Sequence, residues 1–167
     1  MVGCAVGAAS VLCASDISVT SQDGRFVHNF SEIILEVRSI SQMAQMQAQD
    51  PQVRQLAAQL AKDYAMAGQE LTADARAAGM SETPQLSAKA TQVINSLTVR
   101  SGVEFDEAAL RLLFEAEQNG FHEMDVEGHV GGNMAWKDLA AILEAGLQQD
   151  LRSTQQLDAL FNGHPWN

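Results

Sequence analysis

Residues 50–79 read DPQVRQLAAQLAKDYAMAGQELTADARAAG, one helix with both of its ends written into it. Asp50 can accept amide hydrogens of the first turn, Pro51 fits the first helical position where no donor is needed, and Gly79 can take the left-handed conformation that closes a helix. Between those marks Val53, Leu56, Leu60, Tyr64, Ala67, Leu71 and Ala75 recur at steps of three and four, an apolar stripe flanked by Gln, Lys, Arg and Asp. At about 1.5 Å per residue such a rod is roughly 40 Å long and cannot bury its stripe alone. It needs partner helices of similar length, and the rest of the chain supplies them.

Upstream, Phe26, Phe30, Ile33, Val37, Ile40 and Ala44 form a heptad-like seam on a helix predicted over 24–49. The connection around Gln49 and Asp50 is short, so this helix and the next, at 51–78, form an antiparallel hairpin. After Gly79, the turn-rich MSETP interrupts the pattern. Thr83 and Pro84 are expected to start a short crossing helix near 86–98, carrying Leu86, Ala90, Val93 and Leu97. Ser101 and Glu104 have capping-box spacing ahead of a third long helix at 103–128, whose stripe runs through Phe105 or Asp106, Leu110, Leu113, Glu117, Phe121 and Met124. Gly131 and Gly132 end it. Asn133 caps a last helix at 134–161 with Trp136, Leu139, Leu143, Leu147, Asp150, Thr154, Leu157 and Phe161 on its stripe. The expected fold is all-α: an up-down-up-down four-helix bundle with one extra short helix.

Composition agrees with that class. The 167 residues are 46% hydrophobic but only 5% aromatic, which suits one domain of closely packed helices better than a sheet. A net charge of -11 opposes sequence-independent nucleic-acid binding and docking on anionic lipid, both of which need clustered Lys and Arg. Residues 1–15, MVGCAVGAASVLCAS, carry no charge and have signal-peptide composition without a basic start. They are read as an exported protein's leader, followed by a linker at 16–23, the bundle at 24–161 and a flexible tail at 162–167. Val2, Gly3 and Cys4 look like the tail of a lipoprotein signal, so membrane attachment through an N-terminal lipid or the leader itself is one expected contact. Cys4 and Cys13 both lie in the leader, which leaves the body without thiols for a disulfide framework, Cys-based zinc sites or redox chemistry.

The run Val53-x3-Ala57-x5-Asp63-x7-Leu71-x3-Ala75-x3-Gly79, followed by Ser101-Gly102-x2-Phe105-Asp106, resembles the bacterial envelope family catalogued as domain of unknown function 4142. The similarity covers roughly Phe26 to Leu157. It implies an exported, ferritin-like four-helix bundle, often labelled an outer-membrane protein, with no established activity. Relatives commonly place a His after the Asp of the second helix, one in the third and one in the fourth; the matching positions are Tyr64, Glu117 and Asp150. All three imidazoles are missing here, so the resemblance argues against a His-dependent site.

Metal chemistry was tested on the residues themselves. A carboxylate di-iron bundle needs Glu-x-x-His on two helices, and no Glu-x-x-His occurs in the chain. His122, Asp125 and His129 cluster at the end of the third helix, but the two His lie two turns apart, roughly 10 Å along the axis, and cannot grip one ion. Only Asp125 with either His has suitable spacing. Met43, Met46 and Met66 are read as core or rim packing rather than a soft copper site. No phosphate-binding Gly loop or Gly-x-Ser-x-Gly elbow occurs.

What remains is three polar residues on apolar stripes. Tyr64, Glu117 and Asp150 each sit near mid-helix, so in an antiparallel bundle they should share a level, with Glu36 at the same height but beside its stripe. A buried polar layer is expected, with Tyr64 donating to a carboxylate and at least one acid held protonated by burial and by its like-charged neighbour. The functional expectation is a non-enzymatic, exported bundle with an interaction or stress-related role in the periplasm or outer membrane, its protein partner undefined and no cofactor expected. The alternative is a carboxylate-based metal-binding bundle using Glu36, Tyr64, Glu117 and Asp150.

Overall fold

The computed structural model describes residues 19–80 and 84–162, so the expected leader with Cys4 and Cys13, residues 16–18 of the expected linker, Thr83 and the expected tail after 162 lie outside the described residues. Among the described residues the chain forms five α-helices and no strand: α1 (Ser21–Gln47), α2 (Pro51–Ala77), α3 (Ala88–Asn95), α4 (Gly102–Val130) and α5 (Met134–Asn162). Each of the four long helices falls close to its predicted range. The ends of α2 form as the residue types require: the Asp50 side chain accepts from the Gln52 amide at 2.6 Å, and Pro51 opens the helix. At the other end Gly79 sits at φ 77°, with its amide bonded to the Arg76 carbonyl and that of Met80 to the Ala75 carbonyl. That pair of bonds is a Schellman closure.

Three local expectations differ. The helix α1 begins at Ser21, not 24, because Thr20 and Asp23 form a capping box: Thr20 Oγ1 accepts from the Asp23 amide at 3.2 Å and Asp23 Oδ2 from the Thr20 amide at 2.6 Å. Residues 21–23 therefore belong to the helix rather than to a linker. The box expected at Ser101 and Glu104 does not form, since Ser101 makes no side-chain cap bond and Glu104 pairs instead with Arg100 at 3.5 Å. The short helix is capped by Ser87, whose Oγ accepts from the Ala90 amide at 3.1 Å, so Pro84 and Leu86 precede it.

The sequence stripes become the core. Phe26, Phe30, Val37, Ile40, Leu60, Leu71, Phe105, Leu110, Leu113, Met124 and Trp136 are all fully buried in one cluster. The rings of Phe26 and Phe30 stack with centroids 5.6 Å apart. Around the core the helices run in the order α1, α2, α5, α4, with α2 and α5 the least closely packed neighbours.

The direction of the third long helix corrects the expected topology. Asp106, in the second turn of α4, accepts from the amides of Gln49 and Asp50 in the α1–α2 turn at 2.9 and 2.8 Å. At the opposite end Asp23, at the start of α1, accepts from the amides of Gly132 and Asn133 in the α4–α5 turn at 2.8 and 3.1 Å. The start of α4 thus lies beside the start of α2, and both run the same way. The bundle is up-down-down-up, with one connection crossing its full length, as in ferritin-like folds. An extended chain covers at most about 3.5 Å per residue, so spanning a ~40 Å helix takes at least about 12 residues. Residues 78–101 exceed that with room for α3, which packs on α1.

Candidate functional site

Tyr64 on α2, Glu117 on α4 and Asp150 on α5 do meet at one level. Tyr64 is 1% exposed, Glu117 0% and Asp150 9%, and Thr154, one turn beyond Asp150, joins them at 0%. Gly120 lies one turn from Glu117 and leaves room for the end of Tyr64: a Cβ there would sit 3.7 Å from the Tyr64 hydroxyl and 3.4 Å from Ile33. Sequence reasoning placed Thr154 on the stripe but did not assign it to the layer. The signal was available, since residues four apart share a helix face.

The expected donation from Tyr64 to a carboxylate does not form. The Tyr64 hydroxyl, both Glu117 oxygens and Thr154 Oγ1 are buried without a hydrogen-bond partner in the protein. Electrostatics follow from that isolation. Burial pushes the Glu117 carboxyl up to about 8, with the nearby Thr154 hydroxyl offsetting part of the rise and the Asp150 charge adding to it. Burial likewise raises Asp150 to about 6, helped by the charge of Asp63. Tyr64 is pushed well above its ordinary value by burial and then by the two acids. At neutral pH Glu117 is therefore mostly protonated while Asp150 is mostly ionised.

This layer has an opening. Where α2 and α5 diverge, a cleft of about 560 Å³ reaches Tyr64 and Asp150. Its walls combine Met66 and Ala67 of α2 with Ile142, Leu143 and Leu147 of α5. Met66 and Ile142 are largely exposed at its mouth, 52% and 70%. Gly146 lines it too, and a Cβ there would meet nothing within 4 Å, so the missing side chain widens the cleft. Volume and lining are those of a small-molecule site.

The other candidates lie elsewhere. Glu36 is half-buried on the outer side of α1, in a hollow shared with Ser87 and Lys89 near α3 and Glu115 on α4, and does not belong to the polar layer. Its carboxyl is raised first by burial and then by Glu32, with Lys89 opposing. His122, Asp125 and His129 are exposed on α4. His129 Nδ1 approaches Asp125 Oδ1 at 3.4 Å, the i,i+4 pairing that the spacing allowed, and His122 takes no part in that pair. Among the described residues no three His, Cys, Asp or Glu side chains are grouped as a metal site requires.

A second acid cluster was not anticipated. Glu127 of α4 is fully buried beside Asp23 where the α4–α5 turn folds over it. Burial would raise Asp23, yet the Thr20 and Asn133 amides and the Glu127 and Thr20 side chains hold it down at about 2. Glu127 bears the complementary shift, up to about 7, first from burial and then from Asp23. The opposite shifts make Glu127 the acid of the pair that ionises second. Side chains on Gly131 or Gly132 would collide with this cluster; at Gly131 the Cβ would also lie 2.6 Å from the Glu127 carbonyl oxygen. The glycines thus let the turn close over the pair. Its bonds run to the backbone of the bundle end, which makes it a structural clasp rather than an open site.

Among the described residues no helix is long and apolar enough to cross a membrane. The chain is similar in fold to a DUF305 fragment from Deinococcus radiodurans, with a TM-score of 0.74 at 13% identity, covering 85% of this chain and 98% of that one. It is similar also to a DUF305 protein from Streptomyces coelicolor described as secreted, with a TM-score of 0.73 at 16% identity, covering 87% and 95%. No curated protein matches it. Residues 9–157, which include the first hairpin, all but the last turn or so of the second and every residue of the polar layer, match the family model Domain of unknown function (DUF4142), and the chain belongs to that family.

Proposed function

We propose that this protein is an exported, non-enzymatic ferritin-like bundle of the cell envelope that binds a small ligand in the α2–α5 cleft, against the buried polar layer. The observation that carries this reading is the cleft of about 560 Å³ itself, which has Tyr64 and the nearly buried Asp150 in its aliphatic wall, in front of the Tyr64 hydroxyl and Glu117 carboxyl that are buried without a hydrogen bond. A ligand in the cleft would cover its aliphatic wall and meet Asp150, the acid of the layer that lines the cleft. Export draws support from the uncharged apolar leader and from the fold neighbour described as secreted. Mass spectrometry of the N-terminus after expression in a bacterial host tests it: a chain processed near Ala14, or lipidated at Cys4, supports export, and an intact cytoplasmic chain opposes it.

Binding is tested by amide NMR with a fragment mixture. Shifts should cluster on α2 and α5 around the cleft and disappear in Gly146→Leu, whose side chain fills the cleft while leaving the helical spectrum unchanged. Scattered shifts, or shifts that survive in the variant, contradict the reading.

Metal binding is the second reading. Glu117 and Asp150 are close enough for their charges to interact and have the Tyr64 oxygen beside them. Two carboxylates and a phenol are a thin donor set for a resident ion. Elemental analysis of protein purified without chelator separates the readings: a stoichiometric metal lost in Glu117→Gln would favour this one.

A further inference from the structure

The cleft of the proposed binding reading has a one-sided charge pattern. Its ionisable lining consists of Asp63, Tyr64 and Glu70 from α2 and Asp150 from α5, and no Lys, Arg or His is among the described residues that line it. Asp63 is already held by the Gln59 amide group, which leaves Asp150, 9% exposed and facing the cleft, as its deepest carboxylate. Behind Asp150 the Glu117 carboxyl is fully buried, with the neutral Thr154 hydroxyl beside it and no formed hydrogen bond. A neutral ligand would bury Asp150 further without a countercharge, and an anion would add repulsion to that cost. A bare metal ion finds too few grouped donors. The rest of the wall is aliphatic, with Met66 and Ile142 at the mouth and Leu143 and Leu147 deeper in.

We propose that the cleft binds a small organic ammonium ion with an apolar tail, its head against Asp150 and its tail along Met66, Ile142 and Leu143. The ammonium donates to Asp150 and supplies the positive charge that the protein leaves out, while the tail covers the exposed side chains of Met66 and Ile142. Burial raises both Asp150 and Glu117, as expected for acids that lack a cation beside them. The inference rests on the cleft being a binding site, and the two ideas fail differently.

The full chain is titrated by amide NMR at pH 7.5 with hexylammonium, 1-hexanol and hexanoate, which share a tail and differ in the charge of the head. Hexylammonium should shift resonances around the cleft, bind at least roughly tenfold more tightly than hexanol, and lose that advantage in Asp150→Asn, as expected for a partly buried charge pair. Hexanoate should not bind. Asp138→Asn, which removes an exposed acid of α5 outside the cleft, should leave hexylammonium affinity unchanged. Equal binding of hexanol and hexylammonium in the cleft would overturn the ammonium inference while preserving the binding reading. An equal loss of affinity in the Asp138 and Asp150 variants would also overturn it, because the acidic surface alone would then explain the attraction. If none of the three binds in the cleft, both ideas fall.

Discussion

The Asp106 carboxylate accepts from the Asp50 amide at 2.8 Å, across 56 positions of sequence, and so ties the start of α4 to the turn between α1 and α2. Asp23 does the same at the other end, accepting from Gly132 and Asn133 in the α4–α5 turn. Each helical hairpin therefore has its turn held by an acid from the opposite hairpin. These two clasps help fix the relative direction of the hairpins, and hence the level at which Tyr64, Glu117 and Asp150 meet.

Asp106→Ala leaves the Gln49 and Asp50 amides without their acceptor. Hydrogen bonds to a charged group are worth about 1.5–3 kcal/mol, and two amides share this one, so a loss of about 2–4 kcal/mol is expected. Asp106→Asn keeps one acceptor oxygen and should lose less. Urea denaturation measures both, and an alanine variant as stable as wild type would show that the clasp does not hold the hairpins together.

The second clasp makes stability depend on pH. Glu127 has its folded value raised from 4.5 to about 7, so its protonated form favours the fold. Its contribution is full below about 4.5 and lost as pH rises through 7. Asp23 works in the opposite sense: lowered from 3.8 to about 2, it stabilises above 3.8 and loses that contribution as pH falls toward 2. Glu127→Gln keeps an uncharged side chain beside Asp23 at every pH, and should flatten the decline between pH 4.5 and 7 in thermal melts.

The sequence stripes showed which faces are buried, because a period of 3.6 residues identifies a face whatever it packs against. They did not show direction. Nothing between Gly79 and Ser101 says whether that segment turns back locally or crosses the bundle, and the deciding bond, from Asp106 to the Gln49 and Asp50 amides, joins residues no periodicity relates. The same limit applies to Glu36. Its height along α1 was readable, but not the side it faces, which depends on where α3 and α4 lie. The α1 cap was legible as Thr20-x-x-Asp23, a capping box with Asp in place of the usual Glu. Gly146 left no sequence trace, because its effect comes from the separation of α2 and α5.

Gly146→Ala tests the cleft from the side of stability. The glycine is helical, with nothing within 4 Å of a new Cβ, so alanine should stabilise α5 by up to about 1 kcal/mol through backbone entropy alone. A destabilised alanine variant in thermal melts would show that the cleft is closed in solution.

Glu117→Gln probes the polar layer. The raised value of Glu117 means that its protonated form favours the fold, so wild type should lose stability as pH rises from 4.5 through about 8. The glutamine variant has no proton to lose, and its stability should fall less over that window. Equal slopes in denaturation midpoints against pH would place Glu117 in contact with water.

The central claim, an acid buried without a protein partner behind an open cleft, is tested most directly by carbon NMR titration of the Glu117 side-chain carboxyl in the full chain. The account predicts a midpoint near 8 for Glu117 and near 6 for Asp150. A Glu117 midpoint at the ordinary 4.5 would contradict it, since a carboxyl that ionises there is solvated or paired and the layer would not exist as described.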